Sequence, residues 1–237
     1  MTTPAPEVLR QLVSRWRSDG SPTQRGFCWS RDDWVRDFPQ HADLFRGMPD
    51  HLDRETLRAL CARAPTDARS AEEAFVAVMV WGYGRTVGYG RFRTKRILTA
   101  TPDAGDRLLM AARTLADVGA MAAYGRLARR EDCRLRWLGP AFGTKYLHFC
   151  QPRGQLPTAL IHDRVVAAWV RRETALDLDP GAWAQRTYRQ YLDVMHAWAS
   201  ELTCRPDELE GLIFKAEQDA GKGADACLRS VTDGPRS

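Results

Sequence analysis

The sequence predicts an all-α protein. Apolar residues recur at three- and four-residue intervals in one segment after another, and strand-like alternation is nearly absent. The breaks between periodic segments carry glycine, proline or capping residues. With 237 residues, 44% of them hydrophobic and eight of them tryptophan, the chain can bury a substantial core. It is long enough for one large domain or two small ones sharing an interface, with no long linker and no repeat beyond a GYGR doublet.

In chain order, PEVLRQLVSRWRS has helical spacing and stops at Asp19-Gly20. SPTQRGFCWSRDDW is aromatic-rich and irregular, read as a wrapped segment, and RETLRALCARA as a short amphipathic helix. Residues 1–69 are assigned to this N-terminal helical and wrapping part. Ser70 with Glu73 reads as a capping box ahead of AEEAFVAVMVW, the most apolar helix and the expected centre of a core. GDRLLMAARTLADVGAMAAYGRLARR reads as two helices broken near Gly119. TALIHDRVVAAWVRRE and AWAQRTYRQYLDVMHAWASEL follow as helices, and Pro206 opens PDELEGLIFKAEQDA. The expected core spans 70–218, with a frayed tail at 219–237.

A net charge of +5 and a pI near 9.0 lean towards an anionic partner. The six cysteines are scattered, with no CxxC pair, so no zinc or iron–sulfur site is predicted; reduced thiols suit a cytoplasmic protein. The start MTTPAPEVLRQ lacks a signal-peptide pattern and no apolar run approaches a membrane span. P-loop, HExxH and GxSxG motifs are absent. His148 and His162 are read as local hydrogen-bonding residues rather than ligands.

The stretch LGPAFGTKYLHFC carries the chemical signal. It reads as a helix-hairpin-helix, with Arg134–Leu138 ending a first helix, Gly139–Gly143 turning, and Thr144-Lys145 starting the second. Backbone N–H groups at such a turn suit a DNA phosphate. A lysine at a helix start is electrostatically misplaced. That position, with burial against Phe142 and Phe149, is expected to lower its pKa and make an amine nucleophile.

LGPAFGTK, followed eighteen residues after the lysine by the aspartate of IHDRVV, resembles the signature of the helix-hairpin-helix DNA glycosylases. Within them it is most similar to the 8-oxoguanine DNA glycosylase branch, in particular its small bacterial proteins. The resemblance implies two helical subdomains flanking a DNA-binding cleft and a monomer acting on double-stranded DNA with a modified base. It implies Lys145 as the nucleophile at C1′ of a flipped nucleotide, forming a Schiff base, with strand cleavage by β-elimination to follow. Asp163 is then the carboxylate that stabilises the cationic sugar. No cofactor is implied beyond a monovalent cation at the hairpin. Where the family's hairpin has glycine this chain has Ala141, which takes a left-handed backbone less cheaply; that bears on the phosphate and cation contacts of Gly139, Ala141, Gly143 and Thr144.

WGYGRTVGYGRFRTKR follows the most apolar helix, with five cations and no acid between Arg85 and Arg96. The resemblance implies that the loop after this helix enters the DNA, with Tyr83, Arg85 and Tyr89 filling the space of the extruded base, while the cations Arg91 and Arg93 suit phosphates. Glu210 and Phe214, four apart on one helix face, match a glutamine and a phenylalanine that line the family's base pocket. Phe149 stands where the human-type branch has a small cysteine, so the base is expected between Phe149 and Phe214. A Glu210 carboxylate accepts from two adjacent donors of a guanine-type base, which makes 8-oxoguanine the leading substrate. Modified phage DNA bases are the alternative, as part of defence. Two other classes stay open: a non-catalytic DNA-binding module, and a helical scaffold whose basic loop binds acidic proteins.

Overall fold

The computed structural model describes residues 3–24, 26–84, 88–130 and 132–232, with side chains to residue 220. The protein is all-α, with twelve helices and one two-stranded sheet among the described residues. α1 (Glu7–Ser18) ends at Asp19, and Gly20 takes the left-handed backbone (φ +80°) that lets the chain turn away. Next, β1 (Phe27–Cys28) pairs antiparallel with β2 (His51–Leu52). Between them lie α2 (Arg31–Asp37), a 3-10 turn (Pro39–His41) and α3 (Ala42–Gly47). The stretch read as irregular therefore contains a short strand and a helix start. Its tryptophans Trp29 and Trp34 are core, with Trp34 stacked on Phe38 at 5.5 Å and 6.1 Å from Phe45, while Phe27 is part-buried against the core.

α4 (Arg54–Cys61) is capped by Asp53, whose carboxylate accepts Thr56 N–H at 2.7 Å. α5 (Ala68–Tyr83) starts two residues before the expected box, because Asp67 supplies the cap; it accepts both Ser70 N–H (2.9 Å) and Ser70 Oγ (2.8 Å). Every residue from Ala74 to Trp81 is buried, as its unbroken apolar run requires. α6 spans Tyr89–Thr99, so Tyr89, Arg91 and Arg93, expected in a loop, are helical. α7 (Ala104–Asp117) and α8 (Ala120–Ala128) are broken at Gly119, with φ +108°.

Then come α9 (Pro140–Cys150), α10 (Arg164–Thr174), α11 (Gln185–Glu201) and α12 (Pro206–Thr232). The expected helix from Thr158 begins only at Arg164. α5 packs against α4, α6, α7 and α9, while α12 packs against α1, α10 and α11. One continuous apolar core joins the two groups and runs from Ala5 to Ile213. The N-terminal segment is tied to α11: Glu201 accepts Ala5 N–H at 2.9 Å, and Trp198 Nε1–H donates to the Thr3 carbonyl at 2.8 Å. No helix among the described residues is long and apolar enough to cross a membrane.

Candidate active site

Lys145 is positioned by α9, whose start differs from the expected hairpin. Gly139 is the N-cap, Pro140 the first helical residue, and Gly143 N–H already donates to the Gly139 carbonyl at 3.0 Å. Residues 140–144 are thus the first turn of a helix, and Arg134–Leu138 are not helical; the preceding helix, α8, ends at Ala128. Lys145 is the sixth residue of α9. The macrodipole acts within the first turn, so the expected electrostatic misplacement does not apply. Ala141 has right-handed helical backbone, and its replacement of glycine costs nothing there. The left-handed residue of this region is Trp137, at φ +68°. Gly143 is required by packing, since a Cβ there would overlap the Trp183 ring, whereas Gly139 has open space.

Asp163 is positioned by an extended segment, residues 157–162, that pairs with no strand. Its backbone groups are bonded instead by buried or part-buried side chains. Gln151 takes the Ala159 N–H (2.6 Å) and donates to the Pro157 carbonyl (2.9 Å). The Leu160 and Ile161 carbonyls accept the Tyr188 (3.1 Å) and Tyr191 (2.8 Å) hydroxyls. Glu210 accepts Ile161 N–H at 3.0 Å, and Thr144 Oγ1 accepts His162 N–H at 3.0 Å. His148 Nδ1 bonds the Ala159 carbonyl at 2.7 Å while Arg58 Nη2 donates to its Nε2 at 3.2 Å. Burial, with Arg54 and Arg58 nearby, pushes its pKa down to about 3, so the ring is neutral. His162 bonds the Leu178 carbonyl at 2.7 Å and stacks on Tyr191 at 4.7 Å; burial lowers its pKa too. Both histidines make buried local hydrogen bonds, as expected from the sequence.

Asp163 closes the segment as N-cap of α10. Its Oδ1 accepts Val165 and Val166 N–H at 3.1 and 3.2 Å. Its Oδ2 is turned to Lys145, whose Nζ donates at 3.1 Å. The two side chains are only 10% and 11% exposed. Nζ also lies 5.3 Å from the centroid of Phe142, which stacks on Tyr83 at 4.5 Å. The arrangement holds an amine against a fixed carboxylate with an aromatic wall beside it.

The expected base pocket is arranged differently. Phe149 is a core residue, edge-on to Trp81 at 4.9 Å, while Phe214 sits half-buried at the margin of the core. Glu210 is buried at 1% exposure, and its oxygens hold Ile161 N–H and Arg54 Nη2 (2.8 Å), so it offers no free bidentate clamp. Burial raises its pKa against the pull of Arg54. Sequence reading missed Arg54, which has no motif and lies 156 positions from its partner. Its guanidinium sits 5.5 Å from the Trp81 centroid, its Nε donates to Gln24 at 2.8 Å, and its buried Nη1 has no partner among the described residues.

Of the expected DNA contacts, Arg85 lies outside the described residues. Arg91 is 14% exposed and pairs with Asp33 (3.1 Å) and Asp37 (2.5 Å), which neutralise it for phosphate. Arg93 donates to the Trp137 carbonyl at 2.9 Å and bonds the Tyr83 hydroxyl. Tyr89 is exposed, with its ring edge-on to Tyr83. The Thr144 hydroxyl is fully buried and donates to the Pro140 carbonyl at 2.9 Å, so it faces the fold rather than a ligand. Two surface cavities, of about 330 and 390 Å³, are lined by other residues; neither reaches Lys145.

Residues 20–214 match the family model described as "Putative 8-oxoguanine DNA glycosylase OGG-like protein". No curated protein and no solved structure matches the chain.

Proposed function

The chain belongs to this OGG-like family of DNA glycosylases, and from that premise we propose that Lys145 and Asp163 carry out base excision. The observation that carries the reading is the 3.1 Å pair of Lys145 Nζ and Asp163 Oδ2, both nearly buried and each fixed by its own element. In the proposed reaction, Lys145 gives up a proton towards Asp163 and attacks C1′ of a nucleotide taken out of the stack. The C1′–base bond breaks, and the base leaves with the electron pair and is protonated. Asp163 stabilises positive charge on the sugar while its Oδ1 stays on α10. Ring opening converts the C1′–Nζ adduct to an imine; loss of a C2′ proton then expels the 3′ phosphate, giving lyase activity. No cofactor enters these steps. The substrate proposed is 8-oxoguanine in double-stranded DNA, and the enzyme is proposed to act as a cytoplasmic monomer.

One observation favours a second substrate. Arg54 Nη1, without a partner among the described residues, is a donor beside the Glu210 carboxylate, whose oxygens each already hold one N–H and can accept a second. That pattern suits a cytosine-type edge, with two acceptors and an amino group, and so a modified pyrimidine such as phage DNA contains.

The test is borohydride trapping on a labelled duplex with one 8-oxoguanine opposite cytosine, beside undamaged and modified-cytosine duplexes. A covalent adduct on the lesion duplex, lost in Lys145→Gln, is expected. An adduct on the modified-cytosine duplex alone would keep the lysine chemistry and replace the substrate. No adduct and no alkali-labile site on any duplex would overturn the enzyme in favour of a binding module.

A further inference from the structure

Trp137 is an anomaly in three respects. It is 41% exposed, although most tryptophans here are core. It is a bulky residue at φ +68°, a backbone that such side chains avoid unless the surroundings impose it. Its indole is also covered by cations: the Arg96 guanidinium lies 3.6 Å from a ring centroid and that of Arg136 at 5.2 Å. The surroundings that impose this geometry can be named. Arg93 Nη2 holds the Trp137 carbonyl at 2.9 Å, Thr101 Oγ1 accepts Arg136 N–H at 3.0 Å, and Trp183 Nε1–H donates to the Leu138 carbonyl at 3.2 Å.

Unlike Arg91, neither Arg96 nor Arg136 has a carboxylate within ion-pair distance among the described residues. Stacking on an indole fixes a guanidinium plane and leaves its N–H donors pointing outward, so little side-chain freedom remains to be lost on binding. Exposed Tyr89 and Phe92 lie two turns and one turn, respectively, before Arg96 on α6. The patch is also continuous with the candidate active site: Arg93 bonds Tyr83, Tyr83 stacks on Phe142, and Phe142 lies against Lys145. Trp137 is two residues before Gly139, the cap of the helix that carries Lys145.

We propose that Arg96 and Arg136, held on Trp137, form a phosphodiester clamp for the DNA strand next to the reacting nucleotide. The proposal rests on the DNA reading above. Bidentate guanidinium contacts fit a phosphate oxygen pair, and the uncompensated charge fits a polyanion. The left-handed Trp137 backbone is the means by which the indole is presented outward.

The test is duplex binding by the full-length chain over a range of salt concentrations, for wild type, Arg96→Gln, Arg136→Gln, Trp137→Gly and the control Arg69→Gln, which removes a cation paired with Glu73 elsewhere. Losing one phosphate contact lowers the slope of log K against log salt by about 0.9 and weakens binding uniformly across sequences. Arg96→Gln and Arg136→Gln are each expected to show that change. Trp137→Gly, which accepts the left-handed backbone freely, is expected to keep its thermal midpoint while losing roughly tenfold in affinity at low salt. Wild-type slopes in the arginine variants, or equal losses in Arg69→Gln, would overturn the clamp while borohydride trapping of the wild type still upholds the glycosylase. No salt-dependent binding by the wild type would overturn both.

Discussion

Replacing Asp163 separates its two tasks, because asparagine keeps one and alanine keeps neither. Asparagine caps helices about as well as aspartate, so Asp163→Asn should leave the α10 start intact while removing the charge opposite Lys145. Both side chains are about nine-tenths buried, and breaking such a pair leaves an uncompensated ammonium. The usual cost is about 3–5 kcal/mol. The remaining exposure of each group places the expected loss at the lower end, about 3 kcal/mol. Asp163→Ala adds the lost cap, about 1 kcal/mol more. For a chain of this size about 3 kcal/mol corresponds to a fall of roughly 6–12 °C in the thermal midpoint. Lys145→Met combined with Asp163→Asn removes both charges and should recover most of the loss, with a coupling of about 2 kcal/mol in the double-mutant cycle. Urea unfolding of the wild type, Lys145→Met, Asp163→Asn, Asp163→Ala and the double variant at one pH measures this, and borohydride trapping follows the chemistry. An Asp163→Asn protein that unfolds with the wild type, or no difference between asparagine and alanine, would refute the assignment of the two roles to the two oxygens.

The neutral burial of His148 makes the fold acid-sensitive. Its folded pKa, about 3, lies below the unfolded value, so between about pH 6.5 and pH 3 the unfolded chain takes up a proton that the native state refuses. Stability should fall with pH across that window, by up to about 1.4 kcal/mol per unit from this group, with His162 acting in the same direction. Urea midpoints measured from pH 7 to 4.5 should show the slope, and His148→Gln should flatten it; an unchanged slope in the variant would refute the attribution. At the start of α9, Gly143→Ala should cost at least about 2 kcal/mol through collision with Trp183, while Gly139→Ala, with open space, should cost less than about 1 kcal/mol. Equal thermal midpoints for the two alanine variants would contradict the packing account.

What the sequence made legible was local. The stop at Gly20, the break at Gly119 and the start at Pro206 are written in neighbouring residues and recur in the structure. The pairing of Lys145 with Asp163, which the resemblance to the glycosylase signature implied, is present as well. What stayed illegible is non-local. Residues 158–162 were read as the start of a helix over TALIHDRVVAAWVRRE. Their extended form depends on Gln151, Tyr188, Tyr191 and Glu210, none adjacent to them in sequence. The partners of Glu210 were illegible in the same way: read alone it has two free oxygens, and only the fold brings Arg54 to one and Ile161 N–H to the other. Arg91, in a run of cations, gave no hint of Asp33 and Asp37.

The segment bonded by side chains also sets an order of assembly. Lys145 and Asp163 are synthesised within eighteen residues of each other, yet the Ile161 amide waits for Glu210, which follows forty-nine residues later. Tyr188 and Tyr191 arrive in between. A nascent chain that has reached α10 therefore holds both Lys145 and Asp163 before it holds the framework that aligns them. Alignment comes only when α11 and α12 have emerged and docked. A polypeptide released too early would carry the whole LGPAFGTK motif and its aspartate without a fixed amine–carboxylate geometry, and truncation before Glu210 would be a cleaner way to disarm the protein than many substitutions near Lys145.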